Sequence, residues 1–153
     1  MSINFEINNR VNKIWTEIEK EAPGDTRFSE VPDLLAVIND VIRILEVRIP
    51  IDVPYKELEP PGIIVHEGPG IYALLDSSWD SGSHWCPSIL WIGQSDHVKR
   101  RVGQWKSKEI ILFDGIRTVF IEHEYMRRFI ERELIHWFRK PESGHSHSLQ
   151  NLR

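Results

Sequence analysis

The sequence predicts an α+β fold. Helical periodicity fills the first third of the chain, two-residue alternation begins at Gly70, and helical periodicity returns twice beyond it. A length of 153 residues suits one domain with a substantial core and is short for two. The 41% apolar and 27% charged content supplies material to bury, which excludes a disordered or fibrous chain. Composition and prolines divide the chain into a helical N-terminal extension with a linker, residues 1–66, and a second part, residues 67–153.

In the extension, Val11, Ile14, Trp15 and Ile18 recur at spacings of three and four. Leu34, Leu35, Ile38, Val41, Ile42 and Leu45 do so again after Pro32 and Asp33, a helix start. Pro23-Gly24 separates the two helices. Pro50, Pro54 and Pro60-Pro61-Gly62 then forbid a long helix and predict an extended connection. The region carries no evident chemistry. Its helices pack either against the second part or against a partner, a homodimer or another protein, or else form a substrate-recognition arm.

From Gly70 the period changes. Ile71, Ala73 and Leu75 alternate with Tyr72, Leu74 and Asp76, so a strand places Tyr72 on the face opposite Ile71. Ile89 to Ile92 is a second apolar run, and the Ser-, Gly- and Trp-rich stretch before it reads as a long loop between antiparallel strands. Tyr72 and Trp91 are then expected to be cross-strand neighbours. Gly93 ends the second strand, Ser95 or Asp96 caps the next helix, and Val98, Arg101, Val102 and Trp105 fall at helical spacings, with Arg101 beside the core-facing stripe. Thr118 to His123 reads as a third strand. Met126, Phe129, Ile130, Leu134 and Trp137 mark a last amphipathic helix, stopped by Pro141.

Charge is unevenly placed. Residues 1–66 carry 7 Lys+Arg against 12 Asp+Glu and residues 67–153 carry 12 against 11, within an overall charge of −4. Lys99-Arg100-Arg101, Lys106, Lys108, Arg127-Arg128, Arg132 and Arg139-Lys140 cluster in the second part, where they form either a modest phosphate-binding face or solvated helix surfaces. A lone Cys86 excludes an internal disulfide and a thiolate zinc cluster. No run approaches the roughly 18 apolar residues that span a bilayer, and the polar N-terminus with Glu6, Asn8 and Asn9 lacks a basic leader, so no membrane contact and a cytoplasmic location are expected. His145 and His147 fall in a polar tail that reads as flexible, and Trp79 and Trp85 either pack over the sheet edge or stack on bases.

Gly70-Ile71-Tyr72 and Trp91-Ile92-Gly93, followed by the basic helix with Arg101 and the helix with Glu131, resemble the ordered motifs of the GIY-YIG nuclease family. The resemblance covers Gly70 to Asn151, about half the chain, and makes residues 67–153 a GIY-YIG-like nuclease domain. It implies a small α+β unit with a central three-stranded antiparallel sheet flanked by helices. It implies a magnesium- or manganese-dependent endonuclease that hydrolyses DNA phosphodiester bonds, with Tyr72, Arg101 and Glu131 as catalytic residues. Glu131 holds the metal, in preference to Glu133 because of the Leu-Ile register after it, and Arg101 grips the scissile phosphate. Tyr72 hydrogen-bonds the attacking water or helps deprotonate it. Trp91, Lys99, Arg100, Trp105 and Asn151 are expected to bind substrate. Taken alone, Glu131 also fits an ordinary helix-surface ion pair with Arg127 or Arg128.

Three positions depart from the family pattern. Trp91 stands where the second motif has tyrosine, Trp105 where a histidine or tyrosine is frequent, and Gln94 where a lysine sometimes follows the glycine. An indole N–H donates but cannot accept, so the water-activating role falls vacant unless His97 or His123 fills it. These departures keep a second reading open: a nuclease-derived binding or protein-interaction module with impaired catalysis.

Overall fold

The computed structural model describes residues 3–21, 32–46, 49–50, 67–76, 80–81, 84–85 and 88–151. Helix α1 spans Ile3–Glu21 and α2 spans Pro32–Leu45. The central sheet comprises β1, Gly70–Asp76, β2, Ser88–Ser95, and β3, Gly115–Phe120. Helix α3, Val98–Lys108, connects β2 to β3, and α4, Glu124–Phe138, follows β3. The fold is therefore α+β. The sheet is antiparallel with order β2-β1-β3, so the motif strand β1 is central.

Alternation along β1 sorts its side chains as the two-residue period requires. Ile71, Ala73 and Leu75 face a large core shared with Ile7, Val11, Ile14, Leu34, Val37, Val41 and Leu45 of α1 and α2 and with Met126, Ile130, Leu134 and Phe138 of α4. Tyr72 and Leu74 face a smaller cluster with Val98 and Val102 of α3, Leu90, Ile111 and Ile116. Each fully buried aliphatic side chain contributes roughly 1.5 to 3 kcal/mol. The apolar stripes of α1 and α2 are thus spent within the chain, and one core runs across the boundary at residue 66. Leu35 is the exception: it is 49% exposed, and Val37 takes the inward position.

Polar contacts fasten α1 and α2 to each other and to the start of α4. Arg10 donates to Asp40 at 2.6 Å, and the buried Asn8 Oδ1 accepts the Glu122 backbone N–H at 2.8 Å. Trp15 packs on His123 with ring centroids 4.4 Å apart, and His123 Nδ1 accepts the Met126 backbone N–H as the cap of α4.

Several boundaries differ from the sequence reading. The second strand continues two residues past Gly93, because Gly93, Gln94 and Ser95 all pair with β1. His97 caps α3, its Nδ1 accepting the Arg100 N–H at 3.2 Å, while Ser95 Oγ accepts the His97 N–H. The third strand lies at Gly115–Phe120 and not at Thr118 to His123, since pairing with β1 decides its extent over local alternation. The stretch before β2 carries two short strand pieces, Asp80–Ser81 and His84–Trp85, in a second small sheet with Ile49–Pro50. The linker prolines from Pro54 onward, Pro23-Gly24, Trp79, Cys86 and the Trp85 side chain lie outside the described residues.

The polar tail is ordered against the edge of β2. His145 Nδ1 accepts the Ile89 N–H at 3.3 Å, Ser148 Oγ donates to the Ile89 carbonyl, and the Gln150 N–H donates to the Leu90 carbonyl. The Asn151 amide closes the series, accepting from the Ile92 N–H and donating to the Ile92 carbonyl, both at 2.8 Å. An edge strand would otherwise present these groups unpaired. Among the described residues no helix is long and apolar enough to cross a membrane.

Candidate active site

Two features of the sheet build the site. The first is the pairing of Tyr72 directly with Gly93. A Cβ at Gly93 would overlap Cζ and Oη of Tyr72 and lie 2.7 Å from Cε1, so the bare backbone there is what lets the phenol lie across β2. At Gly70, a Cβ would run into the Val119 backbone carbonyl. The second feature is a bulge: Leu74 pairs with Trp91 and Leu75 with Ile89, which leaves Leu90 as the extra residue. Leu90 and Trp91 both join the Tyr72 side of the sheet as a result. Trp91 is thus a diagonal neighbour of Tyr72 and not its direct partner.

These strands, α3 and α4 enclose a cleft of about 620 Å³ that Tyr72, Arg101 and Glu131 all line, together with Trp91, Gly93, Gln94 and Trp105. That volume falls in the usual range for ligand sites. Arg101 projects from the exposed side of α3 to the cleft, and among the described residues its guanidinium has no ion-pair partner. Glu131 reaches in from α4 and accepts the Gln94 backbone N–H. The surface ion-pair alternative for Glu131 does not hold: Arg128 pairs with Glu124 at 2.8 Å, and Arg127 is buried, donating to Gln94 Oε1 at 2.8 Å and to the Glu122 carbonyl at 3.1 Å.

Burial raises the Glu131 carboxyl above its ordinary value of 4.5, against the Gln94 N–H and the two arginines, which pull it down. Burial likewise raises Tyr72 above 10.0, opposed by the hydrogen bond from Trp105 and the charge of Arg101. Trp105 Nε1 donates to Tyr72 Oη at 2.8 Å, and the Trp105 and Trp91 rings meet at 4.8 Å between centroids. The phenol oxygen is therefore an acceptor from indole, which leaves its own proton available to the cleft.

The remaining expected residues divide. Trp91 and Trp105 line the cleft. Lys99 and Arg100 do not; they lie on the solvent side of α3, Lys99 3.3 Å from Glu67 and Arg100 3.7 Å from Asp96, because a helix turns them away from the face that presents Arg101. Asn151 borders the cleft, but both ends of its amide are committed to Ile92, so its role is to hold the edge strand. His97 and His123 serve as helix caps and do not line the cleft, so neither replaces the missing tyrosine. The sequence placed Arg127 in the basic cluster and as a possible ion-pair partner of Glu131; it is instead buried and fixes the Gln94 side chain, whose backbone supports that carboxylate.

Among the described residues no group of three or more His, Cys, Asp and Glu side chains converges. Among the described residues lining the cleft, Glu131 alone is a carboxylate donor. That set suits a hard cation that keeps most of its water, such as Mg²⁺, and does not suit zinc. Comparison of the chain with protein-family models, with curated proteins and with solved structures returned no match.

Proposed function

We propose that the cleft hydrolyses DNA phosphodiester bonds as a magnesium- or manganese-dependent endonuclease of the GIY-YIG type. The observation that carries this reading is the meeting of Tyr72, Arg101 and Glu131, drawn from a strand and two helices, in one cleft. Arg101, with no competing carboxylate among the described residues, binds the non-bridging oxygens of the scissile phosphate and offsets the charge that builds there in the transition state. Tyr72, a phenol that is protonated at neutral pH and whose pKa burial raises further, donates to the attacking water or to a phosphate oxygen and so orients the attack. Glu131 would hold the divalent cation, which when bound would neutralise phosphate charge and lower the pKa of a coordinated water. Gln94 and Arg127 keep the Glu131 carboxylate in place.

The second reading, a nucleic-acid-binding or interaction module without hydrolysis, draws on one observation: Trp91 and Trp105 close over Tyr72 where the family carries hydroxyl or imidazole groups. Supercoiled and branched DNA incubated with Mg²⁺ or Mn²⁺ separates the two. Cleavage by wild type that is lost in Glu131→Ala supports the hydrolase, and intact DNA on every duplex, branched and single-stranded substrate supports the module.

A further inference from the structure

Helix α4 presents Arg128, Arg132, His136 and Arg139 to the cleft. At 100° per residue these positions fall within about 80° of one another, and Glu131 lies about 60° to one side of that arc. Eleven residues at 1.5 Å rise make the stripe about 16 Å long, which matches roughly five nucleotides of one strand at 3.4 Å each. The partners of Arg128 and Arg132 are exchangeable: Arg128 and Glu124 are both more than half exposed, and Arg132 lies over the Phe129 ring at 5.3 Å. Among the described residues that line this cleft, Glu131 is the only carboxylate. A stripe of one sign leading away from a single buried-edge carboxylate suits a polyanion and not a small acid.

We infer that the arginine stripe of α4 is a phosphate track, along which Arg128, Arg132 and Arg139 engage successive backbone phosphates of a DNA strand and carry it across the cleft. This inference rests on the proposed function for the identity of the polymer. The track supplies affinity and direction, without base readout, and Arg101 meets the strand from the opposite wall.

Fluorescence anisotropy on a labelled duplex in EDTA tests it, since binding is then read without cleavage. Each arginine-to-alanine substitution at 128, 132 and 139 reduces the slope of log K against log salt by about 0.9, and the triple variant by nearly three times that. Arg132→Lys keeps the slope, because the charge remains. A charge-matched variant carrying Lys13→Ala, Lys20→Ala and Arg43→Ala on α1 and α2 binds as wild type. Circular dichroism on each variant reports folding. Absence of binding by wild type, an unchanged slope in the triple variant, or an equal loss in the α1/α2 variant overturns the track. Wild type that binds through the stripe but never cleaves leaves the track standing and removes the hydrolase; wild type that cleaves while the triple variant keeps its slope does the reverse.

Discussion

Gly93→Ala probes the geometry on which the site depends. The new methyl group would overlap Cζ and Oη of Tyr72 and lie 2.7 Å from Cε1, where carbon atoms in contact keep about 3.5 Å. The strand pairing fixes Gly93 against Tyr72, so the ring must move by about 1 Å or more. Such a shift breaks the 2.8 Å hydrogen bond from Trp105 Nε1, whose loss costs about 0.5 to 1.5 kcal/mol. Overpacking adds about 1 to 3 kcal/mol, for a combined destabilisation of roughly 2 to 4 kcal/mol. Displacing a reacting group by about 1 Å costs on the order of 100-fold in rate. Urea unfolding followed by tryptophan fluorescence reads the first effect and single-turnover DNA cleavage the second. In a Tyr72→Ala background the ring is gone and the Gly93→Ala penalty should shrink by well over the about 0.5 kcal/mol within which independent substitutions add. An equal penalty with and without the ring would refute the idea that Gly93 exists to seat Tyr72.

Other substitutions test neighbouring parts of the account. Burial raises the folded-state value of Glu131, so its ionisation costs stability above that value and costs none below the ordinary 4.5. Glu131→Gln in EDTA should therefore have a higher Tm than wild type near about pH 8, and the difference should vanish near about pH 4; a constant offset would contradict the burial argument. Trp105→Phe keeps an aromatic ring against Trp91 but removes the N–H that holds Tyr72 down, so ultraviolet titration, referenced to Tyr72→Phe, should show Tyr72 ionising at still higher pH. No change would mean that the hydrogen bond is not made. Asn151→Ala leaves the Ile92 N–H and carbonyl without partners on a buried edge, and urea unfolding should show a loss of about 2 to 4 kcal/mol. A loss under about 0.5 kcal/mol would return Asn151 to the substrate-binding group.

What the sequence revealed was what local pattern encodes. The alternation from Ile71 to Leu75 assigned both faces of β1, and the spacing of Val98, Val102 and Trp105 assigned the inner face of α3. The order of their motifs singled out Tyr72, Arg101 and Glu131, and the three side chains line one cleft. The bulge at Leu90 was not legible, because a run of four apolar residues does not mark which is the extra one. Nor was the tail: the composition around His145 and Asn151 is that of a loop, and its order comes from hydrogen bonds to Ile89 and Ile92 more than fifty residues away. Burial of Arg127 likewise depends on where the Gln94 side chain lies, which helical periodicity cannot report. The extent of β3 failed for the same reason, since its partner strand and not its own alternation sets its ends.

Tyr72, Arg101 and Glu131 are proposed to hydrolyse a phosphodiester bond together. The most direct measurement is single-turnover cleavage of end-labelled DNA with Mg²⁺, comparing wild type with Tyr72→Phe, Arg101→Ala and Glu131→Gln, each variant's DNA binding being measured in EDTA. Wild type should cleave, with rates at least about 100-fold lower for Arg101→Ala and Glu131→Gln, the scale for removing a group that stabilises transition-state charge. Glu131→Gln should bind DNA no more weakly than wild type. Cleavage by Glu131→Gln at the wild-type rate, or no cleavage by wild type on any DNA, would contradict the proposal.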